Sequence, residues 1–293
     1  MEDFSMKANE IVIRDPYVLL HEGKYYMYGT RSLLCWDTPE DISTQGFDAY
    51  VSDDLVHWRA PVPVFTRPEG FWANRNFWAP EVHGYRGAFY LLATFIGEGR
   101  RRGTQILHAD SPLGPFAVHS PQPITPPDWE CLDGTLYVDK TGVPYMVFCH
   151  EWVQIKNGTI CAVRLSEDLT APVGEPWVLL SAADAHWADK NAARYVTDGP
   201  FLYRTRTGAL LMLWSSLKDG QYVQAIARSS NGEINGSWEH LDLLYEADGG
   251  HGMVFTTKEG ELMLALHSPN EKYREHPVFL PLRDAGELVE KYD

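Results

Sequence analysis

Three aspartates, Asp15, Asp133 and Asp198, each stand at the head of a segment that resembles the other two, and each is followed by proline or glycine. Glu81 and His251 head two further copies. The five segments are DPYVLLHEGKYYMYGT (15–30), EVHGYRGAFYLLAT (81–94), DGTLYVDKTGVPYMVFCHEW (133–152), DGPFLYRTRTGALLMLWSS (198–216) and HGMVFTTKEGELMLALHS (251–268). One aspartate before proline or glycine is a turn residue. Three at equivalent places in a repeat, with a glutamate and a histidine at the other two, describe a site. Carboxyl groups crowded at one mouth raise one another's pKa values, which is costly unless they are used to move protons.

The elements that must position these groups are legible in the same segments. Each is an apolar run, a glycine turn and a second apolar run, which reads as a β-hairpin. The heads lie 66, 52, 65 and 53 residues apart, and hairpins at that period mark a radial repeat, a β-propeller. Between the hairpins a second element recurs, at 49–65, 106–124, 161–180 and 225–245: a strand, a polar turn, a hydrophobic or Trp position and an outer strand. Two inner and two outer strands make a four-stranded blade. After the fifth hairpin only HPVFLPLRD (276–284) reads as strand. The N-terminal EIVIR (10–14) is therefore expected to complete the last blade, closing the ring and hiding both edges. Helical periodicity is nearly absent; 183–195 is at most a short helix in a loop. No linker divides the chain, and the expectation is one all-β domain over 1–293, a five-bladed β-propeller.

Composition narrows the function classes. A net charge of −15 over 293 residues argues against nucleic acid, which needs a basic surface, and against an anionic membrane; a neutral substrate is compatible with it. Arg100, Arg101 and Arg102 are most simply a solvated loop between strands. The 10 Trp, 15 Tyr and 12 Phe fill β-sheet cores and also suit sugar stacking. Four cysteines (Cys35, Cys131, Cys149, Cys161) show no metal spacing. Cys149 and Cys161 sit in apolar strands as reduced core residues. The N-terminal MEDFSMKANEIVIRDP has no apolar signal region, and no stretch approaches transmembrane length, so a cytoplasmic location is expected.

The segments RDPYVLLHEGKYYMYGT, FWAPEV (77–82), LDGTLYVDKTGVPYMVF (132–148), DGPFLYRTRTGALLMLWSS (198–216) and GHGM (250–253) together resemble glycoside hydrolase family 43, from about residue 11 to residue 268. The resemblance implies a five-bladed propeller that hydrolyses β-xylosides, α-L-arabinofuranosides or related glycosides with inversion. It assigns Asp15 as the general base that activates water and Asp133 as the aspartate that orients the acid and tunes its pKa. Asp198 falls where the family usually places a glutamate as general acid. Inversion needs acid and base on opposite faces of the sugar, roughly 6.5–9.5 Å apart, and the acid must stay protonated near neutral pH. Aspartate is one methylene shorter than glutamate, so three readings stay open: Asp198 donates in a site whose backbone or substrate sits closer, Glu151 of HEW (150–152) donates instead, or the site binds sugar and cleaves it poorly.

Further candidates surround these. Glu81 hydrogen-bonds substrate or holds a neighbour, or else it is a structural residue in a salt bridge to a nearby arginine. His251, between Gly250 and Gly252, is a structural residue or, as in relatives, helps hold a hydrated cation on the channel axis, with calcium the ion implied; no other cofactor is. Trp36, Trp78, Trp152 and Trp214 are sugar platforms or core, His150 lies beside Glu151, and Arg31 and Arg274 are in place to close the pocket. The expected partner is an oligosaccharide or glycoside cleaved from its end, by an α-L-arabinofuranosidase or β-xylosidase activity. A carbohydrate-binding propeller with a degenerate site is the competing reading. β-Fructosidases are disfavoured because Arg14, not Asn, precedes Asp15, and phosphorylases because no basic cluster stands at the repeat heads.

Overall fold

Apolar runs broken by a short glycine turn fold back as antiparallel pairs, and five such pairs form the inner halves of five sheets. The computed structural model describes residues 5–31 and 46–292. Its first sheet holds β1 (Ser5–Lys7), β2 (Arg14–His21), β3 (Lys24–Thr30), β4 (Gly46–Ser52), β5 (His57–Arg59) and β6 (Val62–Thr66). The second holds β7 (Arg75–Tyr85), β8 (Ala88–Ile96), β9 (Gly103–Ala109) and β10 (Ala117–Val118). The third holds β11 (Cys131–Val138), β12 (Pro144–His150), β13 (Thr159–Leu165) and β14 (Pro172–Ser181). The fourth holds β15 (Asp198–Arg204), β16 (Leu210–Lys218), β17 (Gln221–Ser229) and β18 (Trp238–His240). The fifth holds β19 (Gly250–Thr256), β20 (Leu262–Ser268), β21 (His276–Asp284) and β22 (Val289–Lys291). The arrangement is a five-bladed β-propeller. The one α-helix among the described residues is a single turn, α1 (Trp152–Ile155), after β12.

Every inner hairpin carries the same irregularity. Pairing slips between Arg14↔Thr30 and Tyr17↔Tyr28 in the first blade, and between Trp78↔Thr94 and Glu81↔Leu92 in the second. The slip recurs after Leu132↔Cys149, Asp198↔Ser215 and Gly250↔His267. The residue following each of these pairs has a left-handed backbone: Asp15 (φ 54°), Ala79 (45°), Asp133 (55°), Gly199 (50°) and His251 (53°). A bulge of this kind bends the strand and re-aims a side chain. By register, therefore, the second-blade equivalent of Asp15 is Ala79 and not Glu81, and the fourth-blade equivalent is Gly199, with Asp198 one residue before it.

The bulges also tie each blade to the one before. The residue paired ahead of the bulge accepts the next blade's bulge N–H: Thr30 Oγ1 from Ala79 (2.7 Å), Thr94 Oγ1 from Asp133 (2.8 Å), Ser215 Oγ from His251 (2.7 Å) and His267 Nδ1 from Asp15 (3.2 Å). In the third blade that acceptor position is Cys149, a weak acceptor, and Gly199 N–H instead donates to Asp133 Oδ2 at 3.0 Å. Four bonds of the ring are structural. The fifth ends on an active-site candidate.

The last blade differs from the expectation. Among the described residues no N-terminal strand enters it: β21 and β22 supply its third and fourth strands and leave no place for EIVIR. Residues 5–7 pair with β5 on the outer edge of the first blade, and Ala8–Glu10 form a 3-10 turn. The ring closes through bonds between blades one and five: Ile13 N–H to Glu275 O at 3.0 Å, Arg14 to Glu275 at 2.8 Å and Asp15 N–H to His267. Apolar packing reinforces the closure, with Tyr25 edge-on to Phe255 and Trp58 stacked on Phe279. Between blades one and two, Phe47, Phe65, Phe77 and Phe95 are buried and pack ring to ring. Full burial of each contributes roughly 1.5–3 kcal/mol, so the blades that carry Asp15 and Trp78 are firmly seated.

Candidate active site

The bulges bring Asp15, Asp133 and His251 into contact. His251 Nδ1 lies 3.1 Å from Asp15 Oδ1 and 3.7 Å from Asp133 Oδ2. Thr30 Oγ1 donates to Asp15 Oδ2 at 2.6 Å while accepting the Ala79 N–H. His267 is fully buried, and its Nδ1 accepts the Asp15 N–H; its proton therefore sits on Nε2, which faces Asn270 Oδ1 at 3.2 Å. This neutral ring orients Asp15 without neutralising it. Asp198 starts β15 opposite Ser215, and Tyr222 OH donates to its Oδ2 at 3.1 Å. Gly199 must be glycine. Its φ is positive, and a Cβ there would stand 2.6 Å from the His251 ring.

Asp15, Asp133, Asp198, Glu151, His251, Trp78, Trp152, Arg14 and Tyr222 line one cavity of about 160 Å³. Burial dominates its electrostatics. For Asp198, burial and then the Asp133 charge push the pKa up to about 7, against the pull of His251 and Tyr222. Asp133 is likewise raised, to about 6, by burial, with His251 opposing. Glu151 is raised to about 7 by burial, opposed by Arg102, with which it forms a hydrogen-bonded ion pair. Burial disfavours the charged Asp15 too, but His251, through its charge and its hydrogen bond, and then the Arg14 charge outweigh it and hold the carboxyl well below its ordinary range. His251 is the complement: burial pulls it down, while Asp15 and Asp133 push it up to about 10. The site therefore holds one fixed carboxylate, one fixed imidazolium and carboxyls that can carry a proton at neutral pH.

Other expected residues lie elsewhere. Glu81 does not line the cavity; its partner is a histidine, His83 Nε2 at 2.9 Å, and not an arginine. Trp214 is fully buried in the fourth blade against Trp187 and cannot meet a sugar. His150 stacks on Trp129 at 4.3 Å and bonds Gln154, outside the cavity wall. Arg274 is exposed and paired with Glu271, and Arg31 is tied to Asp48 by two bonds of 2.7 Å; neither closes the pocket. Trp36 lies outside the described residues. Arg102, read as a solvated loop residue, is half-buried against Glu151 and Trp78. Calcium takes six to eight oxygen ligands. Among the described residues no group of three or more His, Cys, Asp or Glu side chains is placed to hold an ion, and His251 turns a protonated Nδ1 to Asp15. These side chains by themselves do not supply a calcium ion's ligand set at His251.

Sequence reasoning missed Arg14, Thr30, Tyr222, Arg102 and the true repeat heads Ala79 and Gly199. The last two carried a signal: Ala79-Pro80 and Gly199-Pro200 repeat the small-turn dipeptide of Asp15-Pro16, Asp133-Gly134 and His251-Gly252. Tyr222 and Arg102 come from third-strand starts, where no motif marks them.

Comparison with known proteins agrees with this fold. The family model "Glycosyl hydrolases family 43" matches residues 9–280. A solved structure described as an endo-arabinase of Bacteroides thetaiotaomicron VPI-5482 is 38% identical, with a TM-score of 0.88, covering 98% of this chain and 100% of that one. The extracellular exo-alpha-(1->5)-L-arabinofuranosidase ArbA of Cellvibrio japonicus is 24% identical over 67% of this chain and 57% of its own length. An extracellular endo-alpha-(1->5)-L-arabinanase 1 of Bacillus subtilis is 23% identical over 57% of this chain and 50% of its own. The chain thus spans about half the length of these two curated relatives.

Proposed function

The chain belongs to glycosyl hydrolases family 43, and from that premise we propose that it hydrolyses α-L-arabinofuranosidic bonds with inversion, releasing terminal arabinose from oligosaccharides. The observation that carries this reading is the cavity of about 160 Å³ in which Asp15, Asp133, Asp198 and Glu151 meet. At ~30 Å³ per water it has room for about five waters, and one pentose fits that volume. Arabinose is preferred to xylose because the relatives named above are arabinofuranosidases and arabinanases. The 38%-identical structure, described as an endo-arabinase, favours a second reading, internal cleavage.

In the proposed reaction Asp198 gives its proton to the glycosidic oxygen as the C1–O bond breaks. Water attacks C1 from the other face and loses a proton to Asp15. Asp133 keeps the Asp198 proton in place by its own charge, and the His251 imidazolium keeps Asp15 ionised. Glu151 is the less suitable donor, since its guanidinium partner Arg102 favours the carboxylate.

Asp15→Asn is expected to abolish turnover of every substrate. Asp198→Asn is expected to lose about 10²–10⁴-fold on linked sugars, the usual share of general acid catalysis, and to spare aryl arabinofuranosides with good leaving groups. If Glu151→Gln shows that split and Asp198→Asn does not, the acid role belongs to Glu151. Arabinan digestion separates the two modes of attack: arabinose as the sole early product supports terminal cleavage, and a ladder of oligosaccharides supports internal cleavage.

A further inference from the structure

A second and larger hollow, of about 780 Å³, adjoins the cavity at the junction of blades two and three. Its wall is built from the start of β9, the turn before β11 and the loop carrying Arg100, Arg101 and Arg102. Those strand starts lie at the same mouth as the bulges. Arg102 divides the two spaces. It lines the hollow, pairs with Glu151 and lies over Trp78 at 4.9 Å, and both of those partners line the cavity. The backbone repeats the connection: Glu151 N–H donates to Glu130 O at 2.8 Å, and Glu130 also lines the hollow.

The position has a chemical consequence. In an inverting reaction the leaving group departs on the acid's side, away from the base. Glu151 and Asp198 line the same cavity, and in terminal cleavage that cavity holds the released sugar, so the rest of the substrate is the leaving group. What lies beyond Glu151 and Arg102 receives the leaving sugar. The lining suits that ligand. The indole of Trp72 is partly exposed with the Arg100 guanidinium 5.5 Å above its ring, Pro126 and Pro127 add apolar faces, and Gln122 adds an amide. Among the described residues Arg100 makes no ion pair; it donates to Gln122 and lies over Trp72. A flat ring beside forked donors matches a sugar's apolar face and hydroxyl rim.

We propose that this hollow binds the leaving-group portion of the substrate, a neutral arabino-oligosaccharide, with Trp72 and Arg100 as its contacts. The proposal rests on the hydrolase reading above, and its test separates the two. Trp72→Ala and, as a surface change that leaves the core untouched, Arg100→Ala are compared with the unaltered protein on an aryl α-L-arabinofuranoside and on α-1,5-linked arabinotriose. The expected result is a KM for arabinotriose raised about tenfold by either variant, with aryl glycoside kinetics unchanged. A tenfold KM shift on both substrates, or on neither, overturns the proposal. Binding is read independently by titrating arabinotriose into Asp15→Asn with and without Arg100→Ala: a tenfold weaker Kd is expected, and equal affinity overturns the proposal. Failure of the unaltered protein to cleave either substrate refutes the parent reading alone, because the titration still decides the hollow's role.

Discussion

Replacing Tyr222 with phenylalanine removes the hydroxyl that donates to Asp198 Oδ2 at 3.1 Å and keeps the ring stacked on His267, 5.5 Å between centroids. That bond favours the ionised carboxyl. A hydrogen bond to a charged acceptor contributes about 1.5–3 kcal/mol, and about 1.4 kcal/mol is one pKa unit. Its loss therefore raises Asp198 from about 7 by roughly one to two units. An acid works only while protonated, so the change extends activity to higher pH. The assay is kcat/KM from about pH 4 to 10 on arabinobiose and on an aryl arabinofuranoside with a good leaving group. The alkaline limb on arabinobiose is expected to move up by about one unit or more, while the aryl substrate, which needs no proton, shows no such limb. Because Asp198 and Asp133 interact, the limb reports the pair. A limb that stays in place, or moves down, refutes Asp198 as the proton carrier and turns attention to Glu151.

Two further outcomes follow from the buried carboxyls. Asp198 is raised from 3.8 to about 7 on folding, so between those values the native state holds the extra proton, and stability falls as pH rises through the window, by on the order of 4 kcal/mol in all. Asp198→Asn keeps the shape without the charge and is expected to melt higher at about pH 8, with the gap closing toward pH 4; equal melting temperatures at the higher pH contradict the burial argument. Cys149→Ser is expected to give the third blade the hydroxyl acceptor that Thr30, Thr94 and Ser215 provide elsewhere, drawing the Gly199 N–H away from Asp133. Asp133 then titrates above about 6, repels the Asp198 charge less, and the alkaline limb moves to lower pH. A profile identical to that of the unaltered protein shows that Cys149 does not steer the bond.

Much of the fold was legible because hairpins are local. An apolar run, a glycine turn and a second run fold alike wherever they occur, so five hairpins were countable, and four outer pairs with them. The ring's closure was not legible. EIVIR has strand composition, but strands form only where a partner edge is free, and β21 and β22 had already filled the fifth blade. The site was legible at Asp15, Asp133 and His251, whose bulges coincide with the repeat heads. It was misaligned at Glu81 and Asp198, because a bulge's register depends on which residue pairs across the hairpin, and the sequence does not show pairing. Trp214 was misplaced for a related reason: a tryptophan's composition is the same in a core and on a pocket wall.

By itself the sequence determined the chemistry available: three aspartates, a glutamate and a histidine on a five-hairpin frame with an acidic surface. The tertiary structure decided how those groups share protons. Register slips set the His251 Nδ1 3.1 Å from Asp15, and at that range burial and neighbouring charge outweigh each residue's ordinary pKa. Asp15 is thereby fixed as an anion, His251 as a cation, and Asp198 is left poised near neutrality. Nothing in the order of residues states those distances, and the distances set the charges.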